Sequence, residues 1–289
     1  MDCHGRCAVI PHHNERGCLG NIHHDHRTLT DAALRAELRW CLLGPALCST
    51  ELPLLPPIPG LAAWLEGADL TPQHHAPSRL GRRFESHWAW ALDGLPGWRL
   101  LAHEQQLQHG GRTLGAPDLL ASHGEAIWHI ELAVKFYLCQ RGASGDARSD
   151  WVGPAGVDRL DRKLDRMRTH QLPLLERPEA RAALRALGLP LPTHRGAVLR
   201  GVLFSHWQRD HPQAAGRWCG LDALPAALSC ARLLHRREWL GASPSGPLLS
   251  GSALIDAVTA EHERGPAQLS TPEGQRWMVV SSASPAMGA

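Results

Sequence analysis

The stretch AIWHIELAVKFY, residues 126–137, decides the fold. Strand side chains alternate between faces, so Trp128, Ile130, Leu132, Val134 and Phe136 form one uniformly apolar side, while His129, Glu131, Ala133, Lys135 and Tyr137 form the other. The first side must be buried. The second carries a carboxylate and an ammonium against whatever covers it. The same stretch concentrates residue types that the rest of the chain avoids. Lysine, asparagine, isoleucine, phenylalanine and tyrosine number 2, 2, 6, 3 and 1 in 289 residues, and five of these 14 fall between Ile127 and Tyr137. All five types have AT-rich codons, so their scarcity points to a GC-rich coding sequence, and those retained point to a requirement of fold or chemistry. The two lysines, Lys135 and Lys163, stand among 28 arginines.

Working outward, residues 98–108 and 112–120 also show strand character, separated by Gly110-Gly111 and followed by Gly124, which predicts a meander of three strands. Asp118 closes the sequence Gly115-Ala-Pro-Asp118 on the second strand. In a hairpin turning through residues 121–125 it becomes a near neighbour of Glu131. Before the meander, residues 78–92 place Leu80, Phe84, His87, Trp88 and Ala91 on one helical face, with Glu85 beside it. After it, a glycine-rich link leads to a helix over residues 157–170 with a buried stripe of Leu160, Leu164 and Met167. A second helix over 178–187 and a buried strand over 196–204 follow. A further helix begins at Thr30, whose side chain suits an N-cap, and carries Leu34, Leu38 and Leu42; the prolines of 53–59 end any continuation. The C-terminal part is expected to hold a helix around 225–240 and a short strand at 277–281.

The expected architecture is therefore α/β: a core of helix, three-strand meander, helix and strand over 78–206. A helical segment over 28–77 precedes it, and a helical segment with a final strand over 207–289 follows. Residues 1–27, rich in cysteine and histidine without apolar periodicity, form an expected disordered extension. A zinc-binding tail is the alternative there, because cysteine and neutral histidine are the usual ligands. The length suits one large domain or one and a half, and 43% hydrophobic residues suffice for a core. No run reaches the roughly 18 apolar residues of a membrane span, and no apolar signal stretch opens the chain, so a cytoplasmic protein with no membrane association is expected. Eight cysteines without a CxxC pair read as reduced thiols. A net charge of +2 neither requires nor excludes nucleic acid.

Two carboxylates held close on neighbouring strands repel each other unless a cation neutralises them. Hard oxygen donors on a rigid sheet suit magnesium or manganese. Such a metal activates water and offsets charge on a phosphate, and a nearby lysine assists as a point charge. Phosphate-binding GxxxxGK[ST] loops, HExxH helices and GxSxG elbows are all missing, so nucleotide hydrolysis and serine catalysis have no support.

With Pro117-Asp118 on the second strand and Glu131 and Lys135 on the third, the core resembles the PD-(D/E)XK nuclease superfamily, over residues 80–204. The stretches LGRRFESHWAWAL, GRTLGAPDLL, HIELAVKFYL and DRLDRKLDRMRTHQLPL resemble the bacterial domain-of-unknown-function family 1853, over residues 28–240. The resemblance implies a restriction-endonuclease-like core and magnesium-dependent hydrolysis of phosphodiesters in DNA or RNA. Asp118 and Glu131 would be the metal-binding carboxylates, and Glu85 the acidic residue of the first core helix. The superfamily lysine belongs two residues after Glu131, where Ala133 stands. Lys135 is one strand repeat further, about 6.6 Å along. Lys163 is the second candidate, since some superfamily members carry the lysine on a helix. The other reading is a nuclease-like scaffold that binds nucleic acid or a protein without catalysis, the displaced lysine marking lost chemistry.

Overall fold

Thr30 opens the chain's first helix by accepting a hydrogen bond from the Ala33 amide (3.3 Å), and α1 (Asp31–Leu43) buries Leu34, Leu38 and Leu42 as their spacing predicts. The computed structural model describes residues 29–48, 51–241, 243–281, 284 and 286. The cysteine- and histidine-rich residues 1–27, and the zinc reading with them, lie outside these. Short helices α2 (Leu61–Gly67) and α3 (Thr71–His74) follow the prolines. Helix α4 (Leu80–Gly94) then buries Phe84, His87, Trp88 and Ala91. The chain continues through β1 (Trp98–His103), β2 (Leu107–His109), β3 (Arg112–Gly115), β4 (Leu119–His123), β5 (Ala126–Cys139), β6 (Trp151–Val152), α5 (Leu160–Arg166), α6 (Pro178–Ala186) and β7 (His194–His206). It ends with β8 (Gly216–Gly220), α7 (Leu224–Ala227), β9 (Cys230–Leu234), β10 (Leu248–Ser250), α8 (Gly251–His262), β11 (Ala267–Ser270) and β12 (Arg276–Val280). The five described cysteines are free thiols, and no helix among the described residues is long and apolar enough to cross a membrane.

The fold is mixed α/β around a ten-stranded sheet ordered β1-β4-β5-β7-β8-β12-β11-β9-β10, with β6 paired to β5. Strands β1, β4 and β5 are antiparallel neighbours, whereas β5 and β7 run parallel from Trp128↔His194 to Leu138↔Phe204. The two faces of β5 separate as its alternation requires. Ile130 and Leu132 enter one core with Leu34, Leu38, Phe84 and Trp88 of α1 and α4, and Trp128, Val134 and Phe136 pack against it. Ala133 and Tyr137 enter another with Leu160, Leu164 and Met167. Each large apolar side chain fully buried this way contributes about 1.5–3 kcal/mol, so the strand is fixed from both sides.

Three expectations need correction. The segment 98–108 is two strands, because Glu104 adopts a left-handed backbone (φ 48°) that breaks the extended chain. The segment 112–120 is likewise split at Gly115 (φ 146°) and Pro117, so β2 and β3 form a separate two-stranded sheet inserted into the meander. Residues 225–240 are not one helix: α7 is a single turn over Leu224–Ala227, β9 is sandwiched between β10 and β11, and a 3₁₀ turn over Arg236–Leu240 follows. The C-terminal segment extends the main sheet across residue 206, with α8 as its one long helix among the described residues.

Candidate functional site

Asp118 stands one residue before β4, where the β4–β5 ladder ends at Leu119↔Ile130. Its Oδ2 accepts a hydrogen bond from the Leu132 amide at 2.7 Å, so the side chain takes up a β5 donor that the ladder does not reach. The Asp118 carbonyl accepts from the Glu104 amide at 2.9 Å, tying the β1–β2 connection to the same point. Burial pushes the Asp118 carboxyl up to about 7; the charges of Glu131 and Glu85 push in the same direction, against the Leu132 amide and the Lys163 ammonium. Three carboxylates and one ammonium thus act on each other within one locus.

Glu131 is almost fully buried on the α5 side of β5. His129 Nε2 lies 2.8 Å from its Oε1. With the carboxylate accepting, this contact is a hydrogen bond from the Nε2-protonated tautomer of His129. The Gln171 amide donates to Oε2 at 2.7 Å, and the Gln171 carbonyl oxygen accepts from Lys163 Nζ at 2.9 Å. Gln171 therefore couples lysine to carboxylate. Its position depends on a π turn over Met167–Gln171, closed by the Leu172 amide on the Met167 carbonyl (2.9 Å). In a regular helix, residues eight apart are offset by about 80°; one extra residue in the turn reduces the count to seven steps and the offset to about 20°. The wide turn brings Gln171 into phase with Lys163.

Lys163 itself is pulled down in pKa by burial and by Lys135, and supported by Asp118 and Glu131. Lys135 shares the Glu131 face as expected, but its Nζ pairs with Asp158 Oδ2 at 2.5 Å, just ahead of α5. The structure thus links Lys163, not Lys135, to Glu131 through hydrogen bonds. Glu85 reaches the locus from α4. Burial raises its pKa against the pull of Arg82, with Glu131 adding to the rise, and its Oε2 is buried without a hydrogen-bond partner among the described residues.

His103 and Glu104 extend the cluster. Ligand atoms of Glu85, His103 and Glu104 lie within 4.8 Å of one another, the one such trio among the described residues. Arg82 already pairs with Glu104 and stands 4.0 Å from Glu85. The carboxylates of Asp118, Glu131 and Glu85 are hard oxygen donors of the kind that hold magnesium or manganese. Each Glu131 oxygen makes one protein hydrogen bond and keeps acceptor capacity. The rise at Asp118 comes first from burial and then from the charges of Glu131 and Glu85, which Lys163 offsets only in part. These oxygens suit a divalent cation in kind, although Asp118 and Glu131 do not belong to a trio as close as Glu85, His103 and Glu104 among the described residues. Sequence reading anticipated Asp118, Glu131, Glu85, Lys163 and Lys135 but not Gln171, His129 or His103-Glu104. His129 was legible as a same-face neighbour of Glu131, whereas Gln171 depends on the π turn and left no periodic trace.

No curated protein and no solved structure matches the chain. A family model does, over residues 36–281, extending beyond the residue 240 at which the resemblance was expected to end. The chain therefore belongs to the family described as Domain of unknown function (DUF1853).

Proposed function

We propose that the protein is a divalent-metal-dependent phosphodiesterase acting on DNA or RNA, with a restriction-endonuclease-like core. The observation that carries this reading is the convergence of Asp118, Glu131 and Lys163, the last two joined by Gln171. Asp118 and Glu131 would hold magnesium or manganese, with Glu85 beside them. A cation bound there supplies a Lewis acid for a phosphate oxygen and a lowered pKa for an attacking water. The chain's own residues do the positioning. His129 and Gln171 fix the Glu131 carboxylate from its two oxygens, the Leu132 amide fixes Asp118, and Lys163 supplies a fixed positive charge beside the phosphate. Exposed Arg162 and Arg166 on α5 would contact flanking phosphates.

Wild-type protein should nick plasmid DNA or single-stranded RNA with magnesium, and Asp118→Asn should lose roughly 100-fold or more, as when a group that stabilises transition-state charge is removed. Equal cleavage by both proteins would overturn the reading. One observation favours a second reading, a scaffold that binds nucleic acid or a protein without catalysis: both Glu131 oxygens are engaged by the protein, and Lys135 is bound to Asp158. Calorimetric titration with Mn²⁺ separates the two, because heat that disappears in Glu131→Gln belongs to a metal site and not to a scaffold.

A further inference from the structure

Across the sheet from Glu131 lies a cavity of about 380 Å³. Its lining side chains are mostly apolar, among them Leu42 from the end of α1, Leu55 and Ile58 from the proline-rich segment, Leu61 of α2 and Trp88 of α4. Among the described residues the one charged side chain in the lining is Arg200 of β7. Leu47 bonds to Leu199, and Pro53 and Leu55 to Ala197, along the edge of β7 away from β5, and the cavity opens beside them.

Arg200 is poorly compensated. Its guanidinium makes one long hydrogen bond, from Nη2 to the Leu42 carbonyl at 3.4 Å. Its Nε is buried with no hydrogen-bond partner among the described residues, and none of the ion pairs among them includes it. Burial disfavours its charge, and the neighbouring Cys41 thiol is itself buried. Arginine does not deprotonate at accessible pH, so this cost cannot be relieved by loss of a proton. A half-buried guanidinium with an unsatisfied buried Nε, at the wall of a cavity lined by apolar side chains, is relieved by an anion that brings an apolar body with it.

We propose that this cavity binds an aliphatic carboxylate whose head group pairs with Arg200 and whose chain fills the leucine- and proline-lined space. A carboxylate matches the guanidinium fork with two parallel hydrogen bonds. A phosphate dianion would bring a second negative charge, and no second cationic side chain lines the cavity among the described residues. At about 30 Å³ per water-sized group, the space holds roughly a dozen non-hydrogen atoms, the size of a ten-carbon acid. Nothing in this assignment depends on the carboxylate locus of Asp118 and Glu131.

Calorimetric titration of the full chain with decanoate near neutral pH tests it, with 1-decanol and decyltrimethylammonium as same-length controls. Saturable binding of decanoate alone is expected. Arg200→Met should weaken it by about 30-fold or more, the effect of losing one partner of a buried charge pair, whereas Asp118→Asn should bind as the wild type does. No saturable binding by wild type, or equal affinity of Arg200→Met for decanoate, overturns the proposal. If Arg200→Met fails to fold, the wild-type comparison decides: decanol bound as tightly as decanoate overturns it, and decanoate alone bound upholds it.

Discussion

Two groups of buried acidic side chains on opposite sides of β5 behave in opposite ways. Beneath α1 and α4, Glu37 is wholly inaccessible yet ordinary in its chemistry: Arg83 embraces both oxygens, His87 adds a third contact at 2.8 Å, and Gln73 accepts from the far side of the His87 ring at 2.7 Å. Burial pushes the Glu37 pKa up, but the hydrogen bonds and charges of His87 and Arg83 outweigh it, so the carboxyl titrates below its usual range. On the α5 side, Asp118, Glu131 and Glu85 share one lysine, and Asp118 is raised to about 7. Burial is common to both. What differs is whether the protein supplies enough positive charge. The first group is complete within the chain and serves the fold; in the second, burial and the repulsion among the carboxylates outweigh the one lysine.

The difference can be broken in order of size. Glu37→Gln leaves Arg83 buried beside a neutral partner and should cost about 3–5 kcal/mol in urea unfolding. At the other locus the sign should reverse. In the folded protein Asp118 keeps its proton to about pH 7, whereas the unfolded carboxyl loses it near 3.8. Between those values the native state binds more protons, so stability falls as pH rises and is lowest above pH 7. Asp118→Asn should therefore be more stable than wild type by about 1–3 kcal/mol at pH 8 in chelator, and should flatten the dependence between pH 4 and 8. Thermal scans across that range check both, and a mutant less stable than wild type at pH 8 would sink the contrast. Added manganese should raise the wild-type midpoint and leave Asp118→Asn unmoved. Smallest of all is Lys135→Met: the half-exposed Lys135–Asp158 pair should contribute under about 1 kcal/mol. Cleavage should survive its loss but not that of Lys163.

Much of this was legible in the sequence, and the limits are physical. The period of two in residues 126–137 assigned both faces of β5 correctly and put Glu131 and Lys135 on the covered side. It could not say which lysine meets the carboxylate, because strand periodicity fixes a face and not what the next helix brings to it; Asp158 captured Lys135. Residues 225–240 misled because Leu-Pro-Ala-Ala-Leu and Ala-Arg-Leu-Leu suit a helix locally, and pairing with β10 and β11 overrides that preference. The Glu37–Arg83–His87 group left no motif at all, its members lying 46 and 50 positions apart.

The π turn before Pro173 has a genetic consequence. Gln171 meets Lys163 because the turn holds one residue more than a regular helix needs. Deleting any one of residues 168–170 would let the helix close normally and leave Gln171 seven regular steps from Lys163, the same offset of about 20°, whereas adding one residue there would swing Gln171 about 100° away from Glu131 with every side chain of the locus still present. At this carboxylate the loss of a single codon should be tolerated where the gain of one is not.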